Sequence, residues 1–195
     1  MKHSICLTIF FFTSLLHSQD TAEISLLETD DTWRKETLSF PIPFAPGIDL
    51  EGDADVRFSK GWADSESPLF WTYTFAWDLS IEEKLSEGSL EEIMEEYFDG
   101  LMNVVKKDKE QQLPKTVALF IQSEATEDHH EYRGKVSIYD AFFSEEIVVL
   151  NVLVHHRYCN ITDRHIYFFK LSPQPLHHRI WSEVHGVKTR SGICG

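Results

Sequence analysis

The chain has 195 residues, a formal charge of −14, 42% hydrophobic and 26% charged residues. That is the length of one ordinary domain, and the balance excludes both a disordered tail and a membrane bundle. Acidity of this degree opposes phosphate backbones and anionic lipid, so neither a nucleic-acid partner nor docking on a lipid surface is expected.

Met1-Lys2-His3 is basic, Ile5 to Leu16 is apolar, and His17-Ser18-Gln19 is small and polar. This order predicts a secretory signal peptide over 1–18. The apolar run is shorter than the ~20 residues a membrane span requires, and no second run of that kind follows. Residues 19–35 read as an acidic, flexible leader, and 36–195 as a single globular domain. Leu38, Phe40, Ile42 and Phe44 alternate like a strand, but Pro41 and Pro43 push it to a sheet edge or out of the sheet. Val56 and Phe58 predict a second strand. From Trp71 to Leu79 aromatic and aliphatic residues alternate with smaller ones, which predicts a strand with one buried face.

The period then changes. Ser80 and Ser89 each open a capping-box pattern, with Gly88 between them reading as a break. The main helix is expected over about 90–107, with Leu90, Ile93, Met94, Tyr97, Phe98, Leu101, Met102 and Val105 in one apolar stripe. A β-meander follows over about 116–171, its four strands near 117–122, 132–142, 146–158 and 165–171. Ile147 to Leu150 and Ile166 to Phe169 are apolar on both faces, which predicts strands covered on both sides. Pro173 and Pro175 precede a C-terminal helix over about 175–185, with Gly186 as its cap. The fold class expected is α+β: an α/β/α sandwich around a mainly antiparallel sheet.

Over roughly 36–186 this order of elements resembles the fold of PsbP, the photosystem II oxygen-evolving subunit, which a Ran-binding nuclear import factor shares. The stretch FAPGIDLEGDADVRFSKGWADSESPLFWTYTFAWDL is also similar to uncharacterised exported proteins of Bacteroidetes-type bacteria. The second resemblance implies an origin and a compartment; neither implies an activity or a site residue.

Standard catalytic and cofactor motifs are absent: no HExxH, CxxC, Walker loop, GxSxG or GxGxxG occurs. Beyond the leader two cysteines remain, Cys159 and Cys194, which in an oxidising compartment predict one disulfide. Such a bridge would contribute roughly 3–4 kcal/mol; two unpaired thiols are the alternative.

The histidines beyond the leader all follow Asp128, in the pairs His129/His130, His155/His156 and His177/His178, with His165 and His185 alone. Imidazole is the commonest transition-metal ligand, but strand neighbours face opposite ways, so each pair offers one ligand to any one site. The loop Glu127-Asp128-His129-His130-Glu131 has the groups to hold a surface ion. Asp49, Glu51, Asp53 and Asp55 crowd four carboxylates together, which suits calcium. The EF-hand pattern fails there, because Ala54 stands where glycine belongs and Lys60 where the closing acid belongs. Trp62 and Trp71 are the candidates for stacking on a ligand, against the plainer expectation that the row Trp71, Tyr73, Phe75 and Trp77 floors the helix. Asp78 and Asp140 are carboxylates within apolar strands.

The leading expectation is an exported, periplasmic or secreted binding or accessory protein without catalysis, acting on a protein or small-molecule partner. It expects no cofactor, with calcium or a transition metal as the exception. A second expectation is a small hydrolase in which His155, His156 or His165 meets Asp140 or Glu131. The third is an acidic subunit docking on a basic protein.

Overall fold

The computed structural model describes residues 25–195; the signal-peptide expectation lies outside them. Among the described residues nine strands and two helices occur: β1 Leu27–Glu28, β2 Arg34–Ser39, β3 Gly52–Phe58, β4 Tyr73–Leu79, α1 Glu87–Val105, β5 Val117–Ala125, β6 His129–Tyr139, β7 Ile147–Cys159, β8 Arg164–Ser172, α2 Ile180–Gly186 and β9 Lys188–Thr189. Seven strands form one antiparallel sheet in the order β2-β3-β4-β8-β7-β6-β5, and β1 pairs with β9 in a separate ribbon. The fold is α+β. The meander is present as expected, and β2 is an edge strand that ends before Pro41.

The apolar stripe of α1 packs on one face of the sheet. Leu90, Met94, Tyr97, Phe98 and Met102 are buried there against Tyr73, Phe75 and Trp77 of β4 and Phe169 of β8. Phe75 stacks on both Tyr97 and Phe169. The aromatic row is therefore core, which is the plainer of its two readings. The helix begins earlier than its sequence pattern indicates. Ser86 is the N-cap, its side chain accepting from the Ser89 amide, and Gly88 lies inside the first turn instead of breaking the helix. Glycine in a solvent-facing first turn costs about 1 kcal/mol, less than the burial of the stripe returns.

Three acids on α1 do a second job. The amides of Thr116, Ala118 and Phe120 donate to the carboxylates of Asp99, Glu95 and Glu91 at 2.8, 3.0 and 2.8 Å. These are outward-facing amides on the edge of the sheet, and the helix closes them.

The opposite face is covered in part. Ile180, Trp181 and Val184 of α2 bury themselves with Leu69 and Leu153. The β1-β9 ribbon lies over Ala76 and Phe168. Leu26 and Leu27 are buried there, so the described part of the expected leader is seated on the sheet. Asp55 holds it: its carboxylate accepts from the amides of Leu26 and Leu27 and pairs with Arg57, which donates to the Leu27 carbonyl. Strand β8 is buried on both faces, as expected. Strand β7 is not, since Ile147 and Val149 are 53% and 44% exposed. The seven-residue α2 is too short to reach them. Cys159 and Cys194 are bonded, tying the C-terminal segment to the end of β7.

Removing two of the acids should loosen the sheet edge before it disturbs the core. We expect Glu91→Ala/Glu95→Ala to lower stability by about 2 kcal/mol, and hydrogen exchange at the Ala118 and Phe120 amides to rise above that of the central strands. Unchanged exchange at those two amides would contradict this role.

Candidate functional site

Strands β6 and β7 pair along their length, with Glu131 opposite His155 and His129 opposite Arg157. Strand alternation puts His129 and Glu131, two residues apart, on one face, and the register adds His155 to the same face. His155 Nδ1 lies 3.0 Å and His129 Nε2 3.4 Å from the same Glu131 oxygen, Oε1. The three ligand atoms lie within 4.8 Å of one another, and the three side chains are half-buried. A tetrahedral ion with ligands at ~2.1 Å sets neighbouring ligand atoms roughly 3.4 Å apart. The two histidine–carboxylate spacings, 3.0 and 3.4 Å, are close to that.

Its protonation is also suitable. Burial pulls the Glu131 carboxyl up, but His155 and His129 outweigh it and hold the group below the usual carboxylate range. Burial pushes His155 down, Lys170 adds to the effect, and Glu131 opposes it. An ionised carboxylate beside a neutral imidazole is a ready pair of metal ligands.

Beside the cluster, on the same face, a cavity of about 420 Å³ opens under the β9 ribbon. His129, His155, Arg157, Phe168, Lys170 and His185 contribute to its walls. Lys170 and Arg157 have no place in the sequence reading, and His185 enters it only as a histidine standing alone. The one available signal was a lysine inside the apolar run of β8, HIYFFKLS.

The remaining sequence candidates fall elsewhere. His156 faces the other side of the sheet from its neighbour His155, and its Nε2 lies 2.9 Å from His165 Nδ1. The pair is stacked, and Tyr167 packs on His156. Burial, then the neighbouring His165, pushes His156 down to about 3. Burial also lowers His165. Asp140 is fully buried and accepts from the amides of Phe142, Phe143 and Ser144 and from the Ser144 hydroxyl. These donors fill it as the organiser of a turn. Asp78 accepts from Arg164 Nε at 2.7 Å.

The four-carboxylate run does not gather round a point. Asp49 and Glu51 are exposed, Asp53 accepts from the Ser39 hydroxyl, and Asp55 anchors the N-terminal segment. Among the described residues, His129, Glu131 and His155 are the one group of three whose ligand atoms converge. Trp62 and Trp71 meet Phe142 and Phe143 in an aromatic cluster, and all of these but Phe143 wall a smaller cavity of about 190 Å³. Trp71 is buried and has a φ of 53°.

No family model matches the chain, and neither the curated proteins nor the solved structures gave a match.

Asp140→Ala should cost about 3 kcal/mol by leaving its donors unpaired, while groups at the far end of β6 keep their geometry. Denaturant unfolding checks the first, and the histidine NMR resonances of His129 and His155 check the second. The His156/His165 pair sets an acid limit. An unfolded histidine takes a proton below its ordinary value of 6.5, whereas folded His156 resists until about 3. The unfolded chain therefore binds more protons across that window, and stability falls as pH drops from about 6.5 towards 3. Urea midpoints between pH 7 and 4 should show this fall, and His156→Gln should shrink it.

Proposed function

We propose that this protein is an exported binding protein whose ligand is a divalent transition-metal ion, held by His129, Glu131 and His155. The observation that carries the reading is the approach of two imidazole nitrogens to one carboxylate oxygen, at 3.0 and 3.4 Å. In place of two hydrogen bonds, the same atoms would make coordinate bonds. Two imidazoles and a carboxylate suit zinc, copper or nickel more than calcium, which prefers an all-oxygen shell. The Cys159–Cys194 bridge is consistent with export, and no helix among the described residues is long and apolar enough to cross a membrane. The α/β/α sandwich of the PsbP-like kind is the architecture we attach to this reading, with α2 and the ribbon as its second layer.

A second reading, a metal-dependent hydrolase, rests on the adjoining cavity and on the coordination positions that three protein ligands leave for water. In the hydrolase reading His155 and Glu131 hold the ion, while His165 and Asp140 take no part.

The test is calorimetric titration of Zn²⁺ into tag-free, chelator-stripped protein. One site per chain is expected. Glu131→Ala and His155→Ala should each weaken it at least ~10-fold, and His165→Ala should leave it unchanged. Absence of saturable binding, or unchanged affinity in Glu131→Ala/His155→Ala, would overturn the assignment. Ester hydrolysis by the zinc-loaded protein, abolished by Glu131→Ala, would move the hydrolase reading to first place.

A further inference from the structure

Lys170 sits two residues before the end of β8, on the face opposite α1, and is 7% exposed. It makes no ion pair with a carboxylate among the described residues. Its Nζ lies 3.4 Å from His185 Nδ1 and 4.7 Å from the centre of the Phe168 ring. Neither neighbour carries negative charge. Removing an ammonium from water without a counter-charge is expensive, and proteins rarely retain one without a use for it.

The surroundings deepen the imbalance. The charged residues lining the cavity are Arg157, Lys170 and Lys188, and no aspartate or glutamate is among the lining residues. Arg157 is exposed and, among the described residues, makes no ion pair. This positive pocket belongs to a chain whose formal charge is −14. Ile166, Phe168, Val187 and Ile193 supply an apolar part of the lining, and four histidines and Thr189 complete it. A volume of about 420 Å³ falls in the range of small-molecule sites.

We infer that the cavity under the β9 ribbon binds a small organic anion, its oxyanion head on Lys170 and Arg157 and its apolar body against Phe168 and Val187. A phosphate or a carboxylate supplies the head equally well, since each presents oxygens to an ammonium and a guanidinium. The bound anion gives Lys170 a contacting counter-charge, where Glu131 acts on it without forming an ion pair. Burial lowers the Lys170 pKa, with Glu131 opposing it, in keeping with an ammonium short of compensation. The site goes beyond the metal reading and does not require it: Lys170 and Arg157 stand in the cavity whether or not an ion joins His155.

The experiment uses the full mature chain in chelator, with phenyl phosphate, benzoate, inorganic phosphate and benzyl alcohol as probes, followed by calorimetry and by chemical shifts at Phe168 and Val187. Saturable binding of phenyl phosphate or benzoate is expected, weakening as salt rises, with benzyl alcohol silent. Whichever of the two binds tighter identifies the head group; binding of inorganic phosphate alone would overturn the apolar half. Lys170→Met should reduce anion affinity at least tenfold and leave folding intact or improved, because it removes a buried charge. Arg157→Gln, at an exposed position, gives a second reading of the same loss. No saturable binding by any probe, or unchanged affinity in Lys170→Met, would overturn the proposal. Zinc affinity measured on the same variants separates the two sites: loss of anion binding with zinc binding intact, or the reverse, shows which assignment has failed.

Discussion

Three carboxylates on α1 set how the helix and the sheet meet. Asp99, Glu95 and Glu91 are four residues apart on the helix, and the amides they accept from, at Thr116, Ala118 and Phe120, are two residues apart along β5 and the residue that leads into it. Four residues of helix rise ~6.0 Å and two of strand ~6.7 Å, so the repeats stay in step over three rungs. Apolar packing alone would let a helix slide along a sheet; hydrogen bonds at fixed spacing do not. The ladder also occupies amides that an open edge would offer to another chain. With the helix placed, Met94, Tyr97 and Phe98 sit over Phe75, Trp77 and Phe169, and the inward face of the meander is committed to core.

That commitment decides where chemistry can occur. Once Val152, Val154 and His156 face the helix, Leu153, His155 and Arg157 must face the other way, towards the thinner cover of ribbon and short helix. The sheet then brings His129 and Glu131 to His155 through pairing register alone. The roof depends on Asp55, fully buried, which draws in the amides of Leu26 and Leu27 and so seats the strand that β9 pairs with. Val187 and Ile193, on the roof side of the cavity, belong to the segment this arrangement holds in place.

Period and polarity made much of the framework legible. The stripe from Leu90 to Val105, the alternation of Tyr73 to Leu79 and the four strands of the meander all follow from repeats of 3.6 or two. Boundaries were less secure where a local signal misled: Gly88 reads as a break, yet a Cβ there would approach nothing nearer than Ser86 Oγ at 3.9 Å, and the helix runs through it. Pairings between distant segments left no local trace. Nothing near Leu27 announces Thr189 as its partner, and nothing near Asp55 distinguishes it from Asp49, although one is an internal anchor and the other faces water. The histidine pairs showed that one member of each could serve a given site. Which member, and beside which carboxylate, depended on a register that single-strand patterns do not encode. Asp140 drew attention as a buried carboxylate, and the turn at Phe142 to Ser144 accounts for its burial.

The bond between Cys159 and Cys194 has a topological effect of its own. It encloses β8, α2 and β9 in one covalent ring, while the ribbon partner β1 and the other sheet strands lie outside it. The exposed stretch at Pro175, Leu176 and His177 is the natural point of attack for a protease within that ring. A single cut there leaves every strand still joined to the chain: β8 through its own sequence, and β9 through the sulfur bridge. In a compartment rich in proteases, the segment that closes the cavity is held by two routes and is released only when both are severed.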